Sequence, residues 1–136
     1  MPKVVPIVFT LSSLFVLNAA ALSKPQAVKH LAADFTSYNI DVAVITKTHF
    51  KVKHLNSVVG ADGYHIFRRD RVRRRGGGVA LYVRCTIQAS VWNYSAYDHT
   101  YEIHWVRVGN NVFVAALYHP PKPIYSPSAL LEYVEA

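Results

Sequence analysis

Two periods of apolar and polar positions run along this chain, and the switch between them marks its organisation. Leu14-Phe15-Val16-Leu17 is a short apolar run closed by Asn18, which reads as a buried first strand. Val28, Leu31, Phe35 and Tyr38 then follow at steps of three, four and three, one face of a helix. Ser23 or Lys24 is placed to cap that helix, Pro25 suits its first turn, and Asn39 breaks it. Asp41 to Thr46 is a second strand, Val42-Ala43-Val44-Ile45 being its apolar body. Strand, helix, strand over about thirty residues is a βαβ unit with parallel neighbours.

From residue 63 onward the period shortens to two. GYHIFRRD (63–70), GGVALYVR (77–84), TIQASVWNY (86–94), YEIHWVRVG (101–109) and NVFVAALYHPP (111–121) read as successive strands rich in β-branched and aromatic residues. Gly109-Asn110-Asn111 suits a tight hairpin between the last two. SPSALLEYVEA opens a helix, with Ser126 as cap and Pro127 at its first position. The pattern predicts one α/β domain over residues 1–136, with the last helix only begun.

Composition narrows this picture in three ways. The 136 residues suffice for one real core, and 51% hydrophobic with 17% charged residues exclude wholesale disorder. Fifteen Lys and Arg against eight Asp and Glu give +7, a balance that favours polyanions as partners. The single cysteine, Cys85, excludes an internal disulfide framework and lies in an apolar run, where a buried structural thiol is expected. The seven histidines form no helical i, i+3 or i, i+4 pair, and the eight acids are scattered, so neither zinc nor a carboxylate-held Mg²⁺ is expected from spacing. The N-terminus has two readings. Lys3, the apolar stretch after it, Ala19 and Ala21 are compatible with a cleaved secretory signal. Pro6, Thr10, Ser12 and Ser13 interrupt that stretch and favour a buried first strand at Leu14–Leu17.

Four features carry candidate chemistry. RRDRVRRR, residues 68–75, places six arginines (Arg68, Arg69, Arg71, Arg73, Arg74 and Arg75) and one aspartate between two strands, a net +5. Arginine grips phosphate with a planar fork, so a nucleic-acid-binding loop is one reading. A nuclear localisation signal and a merely solvated hairpin remain alternatives. The glycines at 76–78 form neither a Walker nor a dinucleotide loop; they let backbones pass closely. Asn18, Lys47 and Tyr118 each end an apolar strand. Singly, they suit a turn former, a phosphate-binding or amine-chemistry lysine, and a packing tyrosine. Together they form a polar set at strand ends, where ligands of open α/β sheets gather.

At this point the sequence resembles a known family. LNAAALSKPQAVKHLAADFTSYNIDVAVITKTHF, GYHIFRRDRVRRRGGGVALYVR, YEIHWVRV and ALYHPPKP are similar to the endonuclease/exonuclease/phosphatase family, most of all to the endonuclease domain of non-LTR (LINE-type) retrotransposon polyproteins. The resemblance runs from about Leu14 to the end. It implies the two-sheet α/β sandwich of the DNase I-like fold, present here as its N-terminal half. It also implies Mg²⁺-dependent phosphodiester cleavage, DNA as partner, reverse transcriptase in the same polyprotein, and work in the nucleus. The match favours the first-strand reading of Leu14–Leu17, since cleavage after Ala21 would remove Asn18. Asn18 falls on the family's strand-one Asn, which organises the metal site, and Tyr118 on the tyrosine that hydrogen-bonds the scissile phosphate.

Lys47 departs from the family. It stands where the resemblance places a metal-binding glutamate, and an ammonium offers Mg²⁺ no oxygen ligand and repels it. Nor does any run here match the family's Asp-x-Asn or terminal Asp-His motif. The expectation is therefore an inactive fragment without a metal, retaining salt-sensitive nucleic-acid binding through Arg68 to Arg75. Two rivals stay open: a small secreted basic protein with a cleaved signal, and an active nuclease with an unorthodox site.

Overall fold

A computed structural model describes residues 11, 13–22, 24, 26–71, 76–92, 102–110, 112–118 and 128. The expected βαβ unit is there. Strand β1 (Leu14–Asn18), helix α1 (Ala27–Ser37) and strand β2 (Val42–Thr46) run in order, with β1 and β2 parallel from Leu14↔Val42 to Asn18↔Thr46. A four-residue helix α2 (Asn56–Val59) leads to β3 (Tyr64–Arg69), and β4 (Val79–Arg84) returns between β2 and β3, antiparallel to both. The first sheet thus has the order β1-β2-β4-β3. Strands β5 (Ala89–Val91), β6 (Glu102–Val108) and β7 (Val112–Tyr118) form a second, antiparallel sheet in that order.

Side-chain alternation decides how the layers stack. Ala43, Ile45, Ala80 and Tyr82 face the helices and pack with Leu31 and Phe35 of α1 and Val59 of α2. Val42, Val44, Val79, Leu81 and Val83 point the other way and meet Val106, Val108 and Ala116 of the second sheet. The central strands β2 and β4 are therefore buried on both faces, which is why they read as continuous apolar runs. Each large side chain so buried stabilises the fold by about 1.5–3 kcal/mol. Phe35 anchors the helix layer, its ring lying 5.9 Å from Phe15, 5.1 Å from Tyr64 and 5.3 Å from Tyr82. The Tyr82 hydroxyl donates to the Val59 carbonyl at 2.7 Å, and burial pushes its phenol pKa up. On β1 the alternation leaves Leu14 and Val16 51% and 66% exposed on the face opposite α1.

Several expectations need correction. Cys85 is exposed, because β4 ends at Arg84 and the chain turns at once, the Ile87 N–H donating to the Arg84 carbonyl at 2.9 Å. That turn also delays the strand expected over 86–94, which runs over Ala89–Val91, residues 93 and 94 lying outside the described residues. Tyr38 is exposed rather than on the buried face: α1 closes at Ser37, and Asn39 takes a left-handed φ of 54°. Helix α1 starts at Ala27 after Gln26 without a side-chain cap. Ser23 and Pro25, the tail helix at 126 and the prolines after Tyr118 lie outside the described residues. So does Asn111, although Val108 pairs with Val112 as a hairpin requires. Among the described residues no helix is long and apolar enough to cross a membrane.

Candidate functional site

The register places several strand ends along one rim. Asn18 pairs with Thr46, Thr46 with Val79, and Val79 with Arg69. On the second sheet Glu102 pairs with Tyr118, and the Arg69 Nη1 donates to the Ile103 carbonyl at 2.6 Å, tying that end of β6 to the same rim. The strand ends singled out in the sequence thus come together. Asn18 and Thr46 share the face turned toward the second sheet. The Lys47 ammonium stands 5.6 Å from the centre of the Tyr118 ring, a cation–π contact between the two sheets.

Backbone hydrogen bonds hold Lys47 in place. After β1 and β2 leave the sheet they remain paired, the N–H groups of Ala19, Ala21 and Leu22 donating to the carbonyls of Thr46, Lys47 and Thr48 at 2.9 Å each. On the other side the Thr48 and His49 N–H groups donate to Gly78 and Gly77 at 3.3 and 2.8 Å. This three-layered ribbon needs left-handed backbone at Ala20, Ala21, Lys47 and His49, all non-glycine, and at Gly76, Gly77 and Gly78. Left-handed residues with a Cβ cost about 1–2 kcal/mol each, so strain is concentrated where the lysine is presented. The glycines do what close passage requires: a Cβ on Gly78 would lie 2.6 Å from the buried Thr48 Oγ1.

The field at this rim is positive. Desolvation holds the His49 imidazole below its usual range, and Lys47, Lys51, Arg71 and Lys24 push it further down. Neither Lys24 nor Lys51 was marked by the sequence as a site residue; Lys24 was read as a helix cap and Lys51 lay between other elements. The Lys51 Nζ donates to the Arg71 carbonyl at 2.7 Å and to Gly76 at 3.4 Å, so it pins both feet of the arginine loop.

The arginine cluster divides. Arg68 is an internal clamp: its Nε and Nη2 reach Asp70 at 3.2 and 2.7 Å, its Nη2 donates to Lys51 O at 2.8 Å, and its Nη1 donates to Asn56 Oδ1 at 3.1 Å and to the His54 carbonyl. Its guanidinium also stacks 5.1 Å from the Phe50 ring centre. Arg69 ties the sheets as described. The expectation of six arginines reaching for a polyanion narrows accordingly, because Arg68 and Arg69 direct donors into the fold. Arg73, Arg74 and Arg75 lie outside the described residues.

A metal does not fit the donor set of the described side chains. Among the described residues no group of three His, Cys, Asp or Glu side chains could hold an ion. Asp70, which follows β3 at this end, is committed to Arg68 at 2.7 Å, and Asp41 sits at the far end of β2 beside Arg84 at 3.6 Å. Asn18 and Thr46 offer neutral oxygens only, and the neighbouring position is an ammonium. Mg²⁺ needs hard anionic oxygens in octahedral array.

No family model matches the chain, and no curated protein matches it in sequence. Solved structures do match in shape. The crystal structure of the AP endonuclease LMAP from Leishmania major superposes with a TM-score of 0.62 at 16% identity, over 88% of this chain and 43% of that one. The crystal structure of D. rerio TDP2 complexed with single-strand DNA product gives 0.54 at 12% identity, over 89% of this chain and 52% of that one. The chain thus spans about half the length of these solved proteins. Both have the DNase I-like fold, and with its helix layer and two packed sheets, this chain has that fold.

Proposed function

We propose that the chain is part of a retrotransposon-type DNA endonuclease domain in which nucleic-acid binding persists without metal-dependent cleavage. One observation carries the proposal: the Lys47 ammonium rests over the Tyr118 ring at the strand ends, where the family resemblance places a metal-binding glutamate. A fixed cation there attracts a phosphate directly, through charge and N–H donors, but it cannot generate a metal-bound nucleophile. Tyr118 and Asn18 flank it as hydrogen-bonding groups for the same phosphate. Lys51 orders the base of the arginine loop, and Arg71, Arg73, Arg74 and Arg75 extend the grip to neighbouring phosphates. In TDP2 the bound molecule is a single-stranded DNA product, which supports nucleic acid as the ligand class. The retrotransposon origin rests on the RRDRVRRRGGGVALYV and ALYHPPKP blocks. It implies DNA as partner, a polyprotein with reverse transcriptase, and an intracellular, nuclear place of work.

The test is filter binding of labelled DNA at low and moderate salt. Changing Arg71, Arg73, Arg74 and Arg75 to Gln should lower affinity at low salt and reduce the log–log salt slope by up to about 4. Lys47→Met should weaken binding further. Unchanged affinity in both variants would refute the proposal, and nicking of plasmid by the unmodified chain with Mg²⁺ would refute its second half. Lys47→Glu alone should not restore cleavage, since no run in this sequence matches the family's Asp-x-Asn or Asp-His motif.

A further inference from the structure

The segment that leaves the rim after His49 has a construction the site does not explain. Three large apolar side chains on it stand in solvent: Val52 is 89% exposed, Leu55 62% and Val58 71%. They are not there through looseness. Arg68 grips the segment at the carbonyls of Lys51 and His54 and at the Asn56 side chain. The Lys51 N–H donates to His54 Nδ1 at 2.8 Å, and the His54 N–H returns to the Lys51 carbonyl at 2.8 Å. Phe50 is fully buried beneath, and the N–H groups of Val58 and Val59 both donate to the Leu55 carbonyl, at 2.9 and 3.1 Å. A half-buried arginine hub thus fixes a knuckle whose tips face water, at a cost to solubility and no gain in core.

Charge and position say what such a knuckle meets. From Lys47 to Ala61 the sequence has Lys47, Lys51 and Lys53 with His49 and His54, and no acid. Lys51 also bonds both feet of the arginine loop, so the knuckle and that loop are neighbours on one cationic end of the molecule. Three aliphatic tips on a turn and a four-residue helix are far smaller than the long amphipathic faces that hold proteins on a bilayer. Apolar side chains inserted against base steps are an established way for cationic proteins to engage unstacked bases.

We propose that Val52, Leu55 and Val58 form an apolar wedge that packs against unpaired bases while the adjacent cations hold the phosphates. This rests on the nucleic-acid reading above and sharpens its ligand to single-stranded or gapped DNA. In duplex the wedge must first unstack bases; in single strands that cost is already absent. The preference is sequence-tolerant, since every base has an apolar face.

Fluorescence anisotropy with a labelled oligonucleotide of about twenty nucleotides, single-stranded or as the matching duplex at one salt concentration, tests this. The unmodified chain should bind the single strand about tenfold tighter. The Val52→Ser/Leu55→Ser/Val58→Ser variant should lose that preference but keep its salt slope, and its urea midpoint should hold because the three side chains are exposed. Equal binding to both DNA forms by the unmodified chain, or an unchanged preference in the variant, overturns the wedge and leaves the nucleic-acid reading standing. No binding to either form overturns that reading and the wedge with it. Loss of binding to phosphatidylserine vesicles, with DNA binding intact, would make the partner a bilayer instead.

Discussion

Replacing Gly78 by alanine probes how the fold presents Lys47. Two costs add at this position. Its φ is +87°, where a Cβ costs about 1–2 kcal/mol. The new Cβ would also lie 2.6 Å from Thr48 Oγ1. That hydroxyl is fully buried, accepts the Phe50 N–H at 3.3 Å, and belongs to a β-branched side chain with little rotamer freedom. Overpacking of this kind costs about 1–3 kcal/mol, so the total is about 2–5 kcal/mol. Gly63 supplies the control: its φ is +84°, but nothing lies within 4 Å of its added Cβ. Gly63→Ala should therefore cost only about 1–2 kcal/mol. With a urea slope of about 1.5 kcal/mol per M, the midpoints should fall by about 1 M for Gly63→Ala and about 1.5–3 M for Gly78→Ala. Adding Thr48→Ala to Gly78→Ala should recover part of the loss, a non-additivity that isolates the contact. Equal midpoints for the two glycine variants would refute the close-passage account of the ribbon.

Other perturbations test the clamp and the inter-sheet layer. Arg68→Met should destabilise by about 3–5 kcal/mol in urea unfolding, because it strands Asp70 and two carbonyls, and adding Asp70→Asn should recover part of it. His104 sits on the face of β6 that carries Val106 and Val108, and burial first, then Arg69, lowers its pKa from the ordinary 6.5. The unfolded chain therefore binds more protons in the window just below 6.5, so stability is full above that pH and falls as pH drops through it. Urea midpoints between about pH 8 and about pH 5 should show a shallower decline in His104→Gln than in the parent.

How much of this was legible beforehand depends on the kind of signal. Strands β2 and β4 were readable because continuous apolar runs persist where a strand is buried between layers, and β6 and β7 because β-branched and aromatic residues recur along them. The convergence of Asn18, Lys47 and Tyr118 was not a property of any local window. Tyr118 meets Lys47 across two sheets and 71 residues of chain (118 − 47), and what grouped them was their shared place at strand ends together with the family resemblance. The arginine run misled because contiguity suggested one loop. The alternation of β3 was the available clue: Arg68 follows Tyr64 and Ile66 onto the helix-side face, and Arg69 follows Phe67 toward the second sheet. Residues 50–59 carried no period at all. Their conformation is imposed by Arg68 from another strand, which local propensity cannot register. Cys85 was misplaced by one turn, since nothing in its own side chain marks where β4 ends.

The central claim is that a cation occupies the rim of a DNase I-like fold where the family resemblance places a metal site. The affinity of the chain for labelled DNA, followed as Mg²⁺ is added, tests that claim through its sign. If Lys47 and the arginines hold the phosphates, Mg²⁺ competes as a counterion, affinity falls steadily, and the DNA stays intact. If instead affinity rises with Mg²⁺ and shortened product accumulates, a metal site exists at the rim and the account is wrong.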